Sequence, residues 1–324
     1  MNAPPATAPM PPAPVANHGP DDAPPPPPLA IELANVHKSF GRNAVLAGVD
    51  LHVPAGKTYA FLGRNGAGKT TTIRMLMGLL HPDAGDIHVL AMSPRNDALA
   101  IRRDVGYLAE DQQMWGWMKV REILSFLAPF YPTWDWPYAK ELLQQFALSP
   151  DTRIKHLSKG QNVRLGLLLA LAHRPRLVIL DDPALGLDPI MRKEFLRDVV
   201  EHLQGRNVTV FFSSHLLYEV EPVADIIGIL DHGKIVCESP TDTLRENVRQ
   251  FLLPAEAWNR LGSNIPGVLD VQSDGPRRAI TVANARAARP LLAEAALEEI
   301  PLNLDEIFQA YVIGSHNRST GDAP

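Results

Sequence analysis

The hydrophobic positions of this chain fall into a series of short, distinct patterns. Ile31-Glu32-Leu33-Ala34-Asn35-Val36 alternates as a half-buried strand does, and Ala44 to Val53 reads as a second strand after a turn at Gly41. Tyr59 to Leu62 is continuously apolar, like a buried strand, and stops abruptly at Gly63. From Lys69 the spacing becomes helical, with Ile73, Met75, Leu76, Leu79 and Leu80 recurring by turns. His81-Pro82-Asp83-Ala84-Gly85 is a loop, and Asp86 to Leu90 a strand. Residues 96–160 change character: Ala98 to Arg103, Val120 to Phe130 and Tyr138 to Phe146 are helical patterns with few strands between them, which reads as an inserted helical subdomain.

Strand patterns return at Leu177 to Leu180, Val208 to Phe212, Ile226 to Leu230 and Lys234 to Val236, the last two joined as a hairpin through Asp231-His232-Gly233. Val268 to Val271 and Ala279 to Val282 suggest two more strands. Pro290 to Glu299, with proline at its first position, and Leu304 to Val312 suggest helices. The expected organisation is a tail over 1–28, a main domain over 29–243 with its helical subdomain at about 96–160, a small α+β region over 244–313, and a frayed tail over 314–324.

Composition narrows the class. The chain has 324 residues, 45% of them hydrophobic and 21% charged, as in a soluble globular protein. A net charge of −5 gives no electrostatic case for nucleic acid, so none is expected as a partner. The lone Cys237 excludes an intramolecular disulfide framework and suits a reducing cytoplasm. No apolar run approaches the ~18 residues of a membrane span, and the N-terminus lacks the pattern of a signal peptide, so the chain is not expected to cross a membrane itself. Residues 1–28 are rich in proline and alanine and hold no lysine or arginine; disorder is expected there, as an inert tail or a proline-rich docking motif.

The chemistry gathers at a few turns. Gly63-Arg64-Asn65-Gly66-Ala67-Gly68-Lys69-Thr70-Thr71 sits between a strand and a helix, the context that a G-x-x-x-x-G-K-[ST] phosphate loop requires. Helix N-terminal amides and a concave loop of N–H groups favour a polyphosphate. Lys69 is expected to reach the β- and γ-phosphates and Thr70 to ligate Mg²⁺. Ser158 and Gln161 have capping-box spacing, so a helix starts there, and Lys159 and Gly160 in its first turn make either a second anion site or a well-capped core helix. Asp181 and Asp182 end the apolar Leu177 to Leu180 strand, where a carboxylate is placed to hold Mg²⁺. His215 follows the Val208 to Phe212 strand, so three strands would carry Gly63, Asp181 and His215 to one sheet edge. Phe40 either packs in its turn or offers a face to an adenine ring. Trp115, Trp117, Trp134 and Trp136 are either core or a contact surface, and the paired Trp-x-Trp in a loop favours the surface.

With these pieces in this order, the chain resembles the ATP-binding subunits of ABC transporters, densely over residues 31–240. The Walker A match runs from Gly63 to Thr71, with Arg64 where proline is usual; Leu157-Ser158-Lys159-Gly160-Gln161 is similar to the signature motif, with Lys159 for its first glycine. Leu177 to Asp181 resembles Walker B, Leu185-Gly186-Leu187-Asp188 the D-loop, His215 the switch histidine and Glu110 the Q-loop position, with Gln112 and Gln113 beyond. Phe40 takes the place of the A-loop aromatic, and Asn303 to Phe308 is similar to the end of ABC-2 type exporter subunits.

The resemblance implies an α/β P-loop NTPase with a RecA-like core, an N-terminal antiparallel β subdomain, a helical subdomain and a small C-terminal α+β appendage. It also implies ATP and Mg²⁺ as cofactors and a peripheral position on the cytoplasmic face of the membrane. The implied partners are a membrane-spanning permease and a second ATP-binding subunit. In that arrangement ATP is held between one subunit's Walker A and the other's Ser158, Gly160 and Gln161. Asp182 stands where the family has a catalytic glutamate, one methylene longer, so it acts as the base or marks a slow site. Two other readings follow: a nucleotide-gated interaction module with little hydrolysis, and a soluble ABC ATPase outside transport.

Overall fold

The computed structural model describes residues 28–203, 208–214 and 222–319. The tail expected over 1–28 falls almost wholly outside them, as do His215 and residues 320–324. Strands β1 (Leu29–Phe40), β2 (Asn43–Pro54) and β4 (Ala84–Val89) form an antiparallel layer in the order β2-β1-β4. The central sheet has the order β5-β6-β7-β3-β8-β9, built from β3 (Thr58–Gly63), β5 (Val105–Leu108), β6 (Leu177–Asp181), β7 (Thr209–Ser214), β8 (Ile226–Asp231) and β9 (Lys234–Pro240). Its strands are parallel except at the β8–β9 hairpin.

This sheet is covered on both faces, which is why its strands read as unbroken apolar runs. Because successive side chains point to opposite faces, Tyr59, Phe61, Leu177, Ile179 and Phe211 join a core with Ile31, Leu33 and Val49 of the antiparallel layer and Ile73, Met75 and Leu76 of helix α1 (Lys69–Leu76). Ala60, Leu62, Val178, Leu180, Val210 and Phe212 join the opposite core. There they meet residues of the helical region: α3 (Val120–Leu127), α4 (Trp136–Gln145), α5 (Lys159–Leu171) and α6 (Pro189–Leu203), with α2 (Ala98–Asp104) preceding β5. Helix α1 ends four residues before Leu80, and Gly78 beyond it adopts φ +61°, a left-handed stop. Strand β5, which helical spacing hides, lies inside 96–160 and pairs with β6.

Beyond α7 (Thr241–Asn247), strands β10 (Arg249–Pro254), β11 (Val268–Asp274), β12 (Arg277–Val282) and β13 (Glu298–Pro301) form an antiparallel sheet in the order β11-β12-β10-β13. With α8 (Ala255–Leu261) and α9 (Ala285–Leu292) this is a βαββαβ unit of ferredoxin-like topology. Here the expected Pro290 to Glu299 helix is corrected. Asn284 caps the helix six residues earlier, its Oδ1 accepting the Ala287 N–H at 3.0 Å, so Pro290 falls inside α9 and Glu298–Pro301 is an edge strand. Helix α10 (Leu304–Ser319) continues past Val312, so residues 314–319 are helix and not tail; Gly314 lies so close to Leu269 that a Cβ there would overlap its backbone. Leu304, Ile307 and Ala310 of α10 belong to the same core as Ile227 and Ile229 of β8.

One buried group makes the fold acid-sensitive. His173, 1% exposed, stacks on Tyr131 with ring centroids 4.1 Å apart, and burial pushes its pKa down to about 4. The unfolded chain takes up this proton below its ordinary 6.5, whereas the folded chain resists until about 4. Stability therefore falls as pH drops through that window, by about 3 kcal/mol when complete. Denaturant midpoints between pH 7 and 4.5 should fall less steeply in His173→Phe than in the wild type; equal slopes would contradict this assignment.

Candidate nucleotide site

Strand β3 ends in glycine for a steric reason: a Cβ on Gly63 would lie 2.7 Å from the Leu230 carbonyl oxygen. The loop then folds on itself, with the Ala67 N–H donating to the Arg64 carbonyl at 3.1 Å. Gly68 adopts φ +113° beneath β2, where a Cβ would meet Leu46 at 2.7 Å, a combination that glycine alone tolerates. Helix α1 starts at the next residue with no capping side chain and no acid in its first turn. Its first amides therefore lie open to an anion, and the helix dipole adds to the attraction.

Lys69 is 7% exposed, and its Nζ donates to the carbonyls of Gly63 at 2.8 Å and Arg64 at 3.3 Å. Burial lowers the lysine pKa, while Asp182, Asp181 and Glu110 oppose that shift. Asp181, at the end of β6, accepts hydrogen bonds on Oδ1 from Thr70 Oγ1 at 3.3 Å and from Ser213 Oγ at 2.9 Å. Its burial raises the carboxyl pKa against those two hydrogen bonds. Asp182 adopts φ +43°, an uncommon conformation for a side-chain-bearing residue, and its N–H donates to the same Ser213 hydroxyl at 2.9 Å. Glu110, near the end of β5, has its pKa raised first by burial and then by Asp181, Asp182 and Asp111.

These groups surround an open cavity of about 390 Å³ lined by Phe40, Val45, Asn65, Gly66, Gly68, Lys69, Thr70, Thr71, Glu110, Asp181 and Asp182. The parallel register delivers them, since Asp181 pairs with Ser213 and Ser213 with Phe61, so β6, β7 and β3 end together at one sheet edge. Gly63, Arg64 and Ala67 shape the loop behind this wall. Thr70 and Asp181 offer hard oxygen donors beside Lys69, and clustered carboxylates whose charge is disfavoured by burial fit Mg²⁺.

Ser213 was not singled out by sequence reasoning. The signal was available: it is the first polar residue after Val208 to Phe212, level with Asp181 once the strands are parallel.

Ser158, Gly160 and Gln161 do not line this cavity. They begin α5, where the Ser158 Oγ accepts the Gln161 N–H at 3.2 Å and Gln161 Oε1 accepts the Ser158 N–H at 3.0 Å. The capping box thus forms, and the serine hydroxyl keeps its own proton to donate. Gly160 is buried against Met191 of α6, and the Lys159 ammonium lies against Gly186. The tryptophans divide: Trp134 packs against the core, whereas Trp115, Trp117 and Trp136 are exposed, with Trp115 edge-on to exposed Phe126 at 5.2 Å.

A glycine loop and acid-ended strand on a central parallel sheet define a P-loop nucleotide-binding fold. Residues 46–185 match the family described as ABC transporter. The bacitracin transport ATP-binding protein BcrA of Bacillus licheniformis is 37% identical over 68% of this chain and 73% of its own length. The daunorubicin/doxorubicin resistance ATP-binding protein DrrA of Streptomyces peucetius is 31% identical over 92% of this chain and 97% of its own. Among solved structures, the ATP-binding subunit of an ABC transporter covers 67% of this chain and 92% of its own at 27% identity and a TM-score of 0.61. The chain belongs to the ATP-binding subunits of ABC transporters. Among the described residues no helix is long and apolar enough to cross a membrane.

Proposed function

We propose that this chain binds and hydrolyses ATP to energise an ABC-2 type exporter, as a peripheral subunit on the cytoplasmic face of the membrane. The observation that carries the reading is the uncapped start of α1 beside buried Lys69 and the Thr70–Asp181 pair. The loop amides and Lys69 hold the β- and γ-phosphates, and Thr70 and Asp181 hold Mg²⁺. Bound there, Mg²⁺ supplies charge neutralisation across the phosphate oxygens. Asp182 accepts the proton of the attacking water, Glu110 faces the γ-phosphate end of the cavity, and His215 follows β7 as the switch residue. Phe40 stacks on the adenine ring.

Ser158, Gly160 and Gln161 act on the ATP of a second ATP-binding subunit, whether another copy or a relative. Their absence from the lining of the chain's own cavity supports this, as does the Ser158 hydroxyl, which in the capping box serves as an acceptor. The exposed Trp115, Trp117 and Phe126 supply the face for a permease. Relatives named for bacitracin transport and for daunorubicin resistance support export of an antibiotic-like compound. The domain limits follow those read from the sequence, an ATPase domain over 29–243 and an accessory region from 244, whose end moves from 313 to the end of α10 at Ser319.

A complete site needs a second subunit, so where that subunit is another copy, Mg²⁺-dependent turnover per chain should rise with chain concentration and then plateau. Turnover independent of concentration would remove the shared site. A second reading rests on Asp182, the short acid: a nucleotide-gated module would bind Mg-ATP and release no phosphate at any concentration.

A further inference from the structure

Phe40 forms one wall of the nucleotide cavity but is held by little of its own packing: its side chain is 52% exposed at the end of β1. An exposed ring can turn freely about χ1 and χ2, and a stacking platform that must be ordered on binding loses affinity to that ordering. Two residues earlier on the same face of the strand is Lys38, whose Nζ sits 5.6 Å from the Phe40 ring centroid, within cation–π range. The ammonium is not loose. It donates to Asp83 Oδ1 at 2.7 Å, and the lysine side chain is only 13% exposed.

Asp83 is fastened in turn. Its second oxygen accepts the Ser39 N–H at 2.7 Å, and its own N–H donates to the His37 carbonyl at 2.9 Å. The loop between α1 and β4 is thereby clipped to the three residues preceding Phe40. The Lys38 and Ser39 hydrogen bonds hold the Asp83 carboxyl below its usual pKa, so the clip stays charged at neutral pH.

We propose that Lys38, fixed by Asp83, is a positioning residue that presents Phe40 to the nucleobase, with the ammonium on one side of the ring and the base on the other. This rests on the reading of Phe40 as the adenine platform. A cation against one face draws electron density from the ring and makes the opposite face a better partner for an electron-rich purine. The pinned ammonium also restricts the ring before ligand arrives. The contribution belongs to the base, not to the phosphates, which Lys69 and the loop amides hold elsewhere.

That separation defines the experiment. Equilibrium affinities of the full chain for Mg-ATP and for Mg-tripolyphosphate, which has no base, are compared in wild type, Phe40→Ala, Lys38→Met, Lys38→Arg and Asp83→Asn. Phe40→Ala should weaken ATP binding and spare tripolyphosphate. Lys38→Met should weaken ATP roughly two- to fivefold, the range of an exposed cation–π contact, again sparing tripolyphosphate. Asp83→Asn should go the same way, Lys38→Arg should stay close to wild type, and Lys38→Met should add nothing in a Phe40→Ala background. If Phe40→Ala left ATP affinity unchanged, the platform reading would fail and this proposal with it. If Phe40→Ala weakened ATP but Lys38→Met did not, the platform would stand and the role of Lys38 would be overturned. Equal losses for ATP and tripolyphosphate in Lys38→Met would make Lys38 a structural or phosphate contact, and would equally overturn it.

Discussion

Replacing Asp182 with asparagine should lower steady-state ATP turnover by a factor on the order of 100 to 10,000, the usual contribution of a general base, while Mg-ATP affinity changes little. The separation follows from geometry. Asp182 does not share the hydrogen bond between Thr70 and Asp181; its backbone N–H donates to Ser213, and the residue lines the cavity. Asparagine keeps the shape and the left-handed backbone, which Asn tolerates well, but cannot accept a proton. ATP-bound dimers should therefore accumulate, seen as a shift in sedimentation. Equal turnover in wild type and Asp182→Asn would show that another group takes the proton. Asp182→Glu tests reach separately: a carboxylate about one C–C bond further out should change the rate, since misplacement of about 1 Å costs ~100-fold.

The second large effect is divided between two positions. Lys69→Ala removes a buried ammonium aimed along the phosphate loop, and charge-assisted hydrogen bonds contribute about 1.5–3 kcal/mol each, so ATP affinity should fall at least tenfold. Ser158→Arg leaves that cavity intact, since Ser158 is not part of its lining, and should spare ATP binding by the single chain while abolishing turnover. Mixed together, the two inactive proteins should regain activity. In a mixed dimer, Lys69 of the Ser158→Arg subunit faces the intact Ser158 of the Lys69→Ala subunit, giving one complete site. No recovery at any ratio would count strongly against a site shared between two copies of this chain.

What the sequence revealed of this site depended on how local the cause was. The glycine loop was legible because left-handed Gly66 and Gly68, and Lys69, whose ammonium meets the Gly63 and Arg64 carbonyls, lie in one short stretch, although the close contacts of Gly63 with Leu230 and of Gly68 with Leu46 come from distant strands. So was the capping box at Ser158 and Gln161. Ser213 was not, because its importance arises only when β6 and β7 align and bring it against Asp181 and Asp182. The same holds for Lys38 and Asp83, which lie 45 residues apart and meet through the β1–β4 pairing.

The fold shows the same division. The continuous runs in β3, β6 and β7 announced a covered sheet, whereas β5 and β10 were hidden. Val105-Gly106-Tyr107-Leu108 is short and follows a helix directly, and Arg249 to Pro254 starts and ends with residues poor in strand propensity. Pro290 misled for a physical reason. Proline suits a first turn, but here Asn284 had already capped the helix, and the carbonyl that loses its partner belongs to exposed Arg286, where water can replace it.

Helix α10 has a consequence for the history of each molecule. Its Leu304, Ile307 and Ala310 complete a core that begins with Ala60 and Leu62, and Tyr311 hydrogen-bonds Cys237 on β9. During synthesis, a nascent chain that has already emitted every nucleotide-site residue still presents an open apolar flank along β8 and β9. Closure of that flank thus waits until α10 itself has been made and can pack. A chain released early would carry an intact phosphate loop together with an exposed sticky surface, the kind of product that chaperones and proteases recognise before it can reach a transporter.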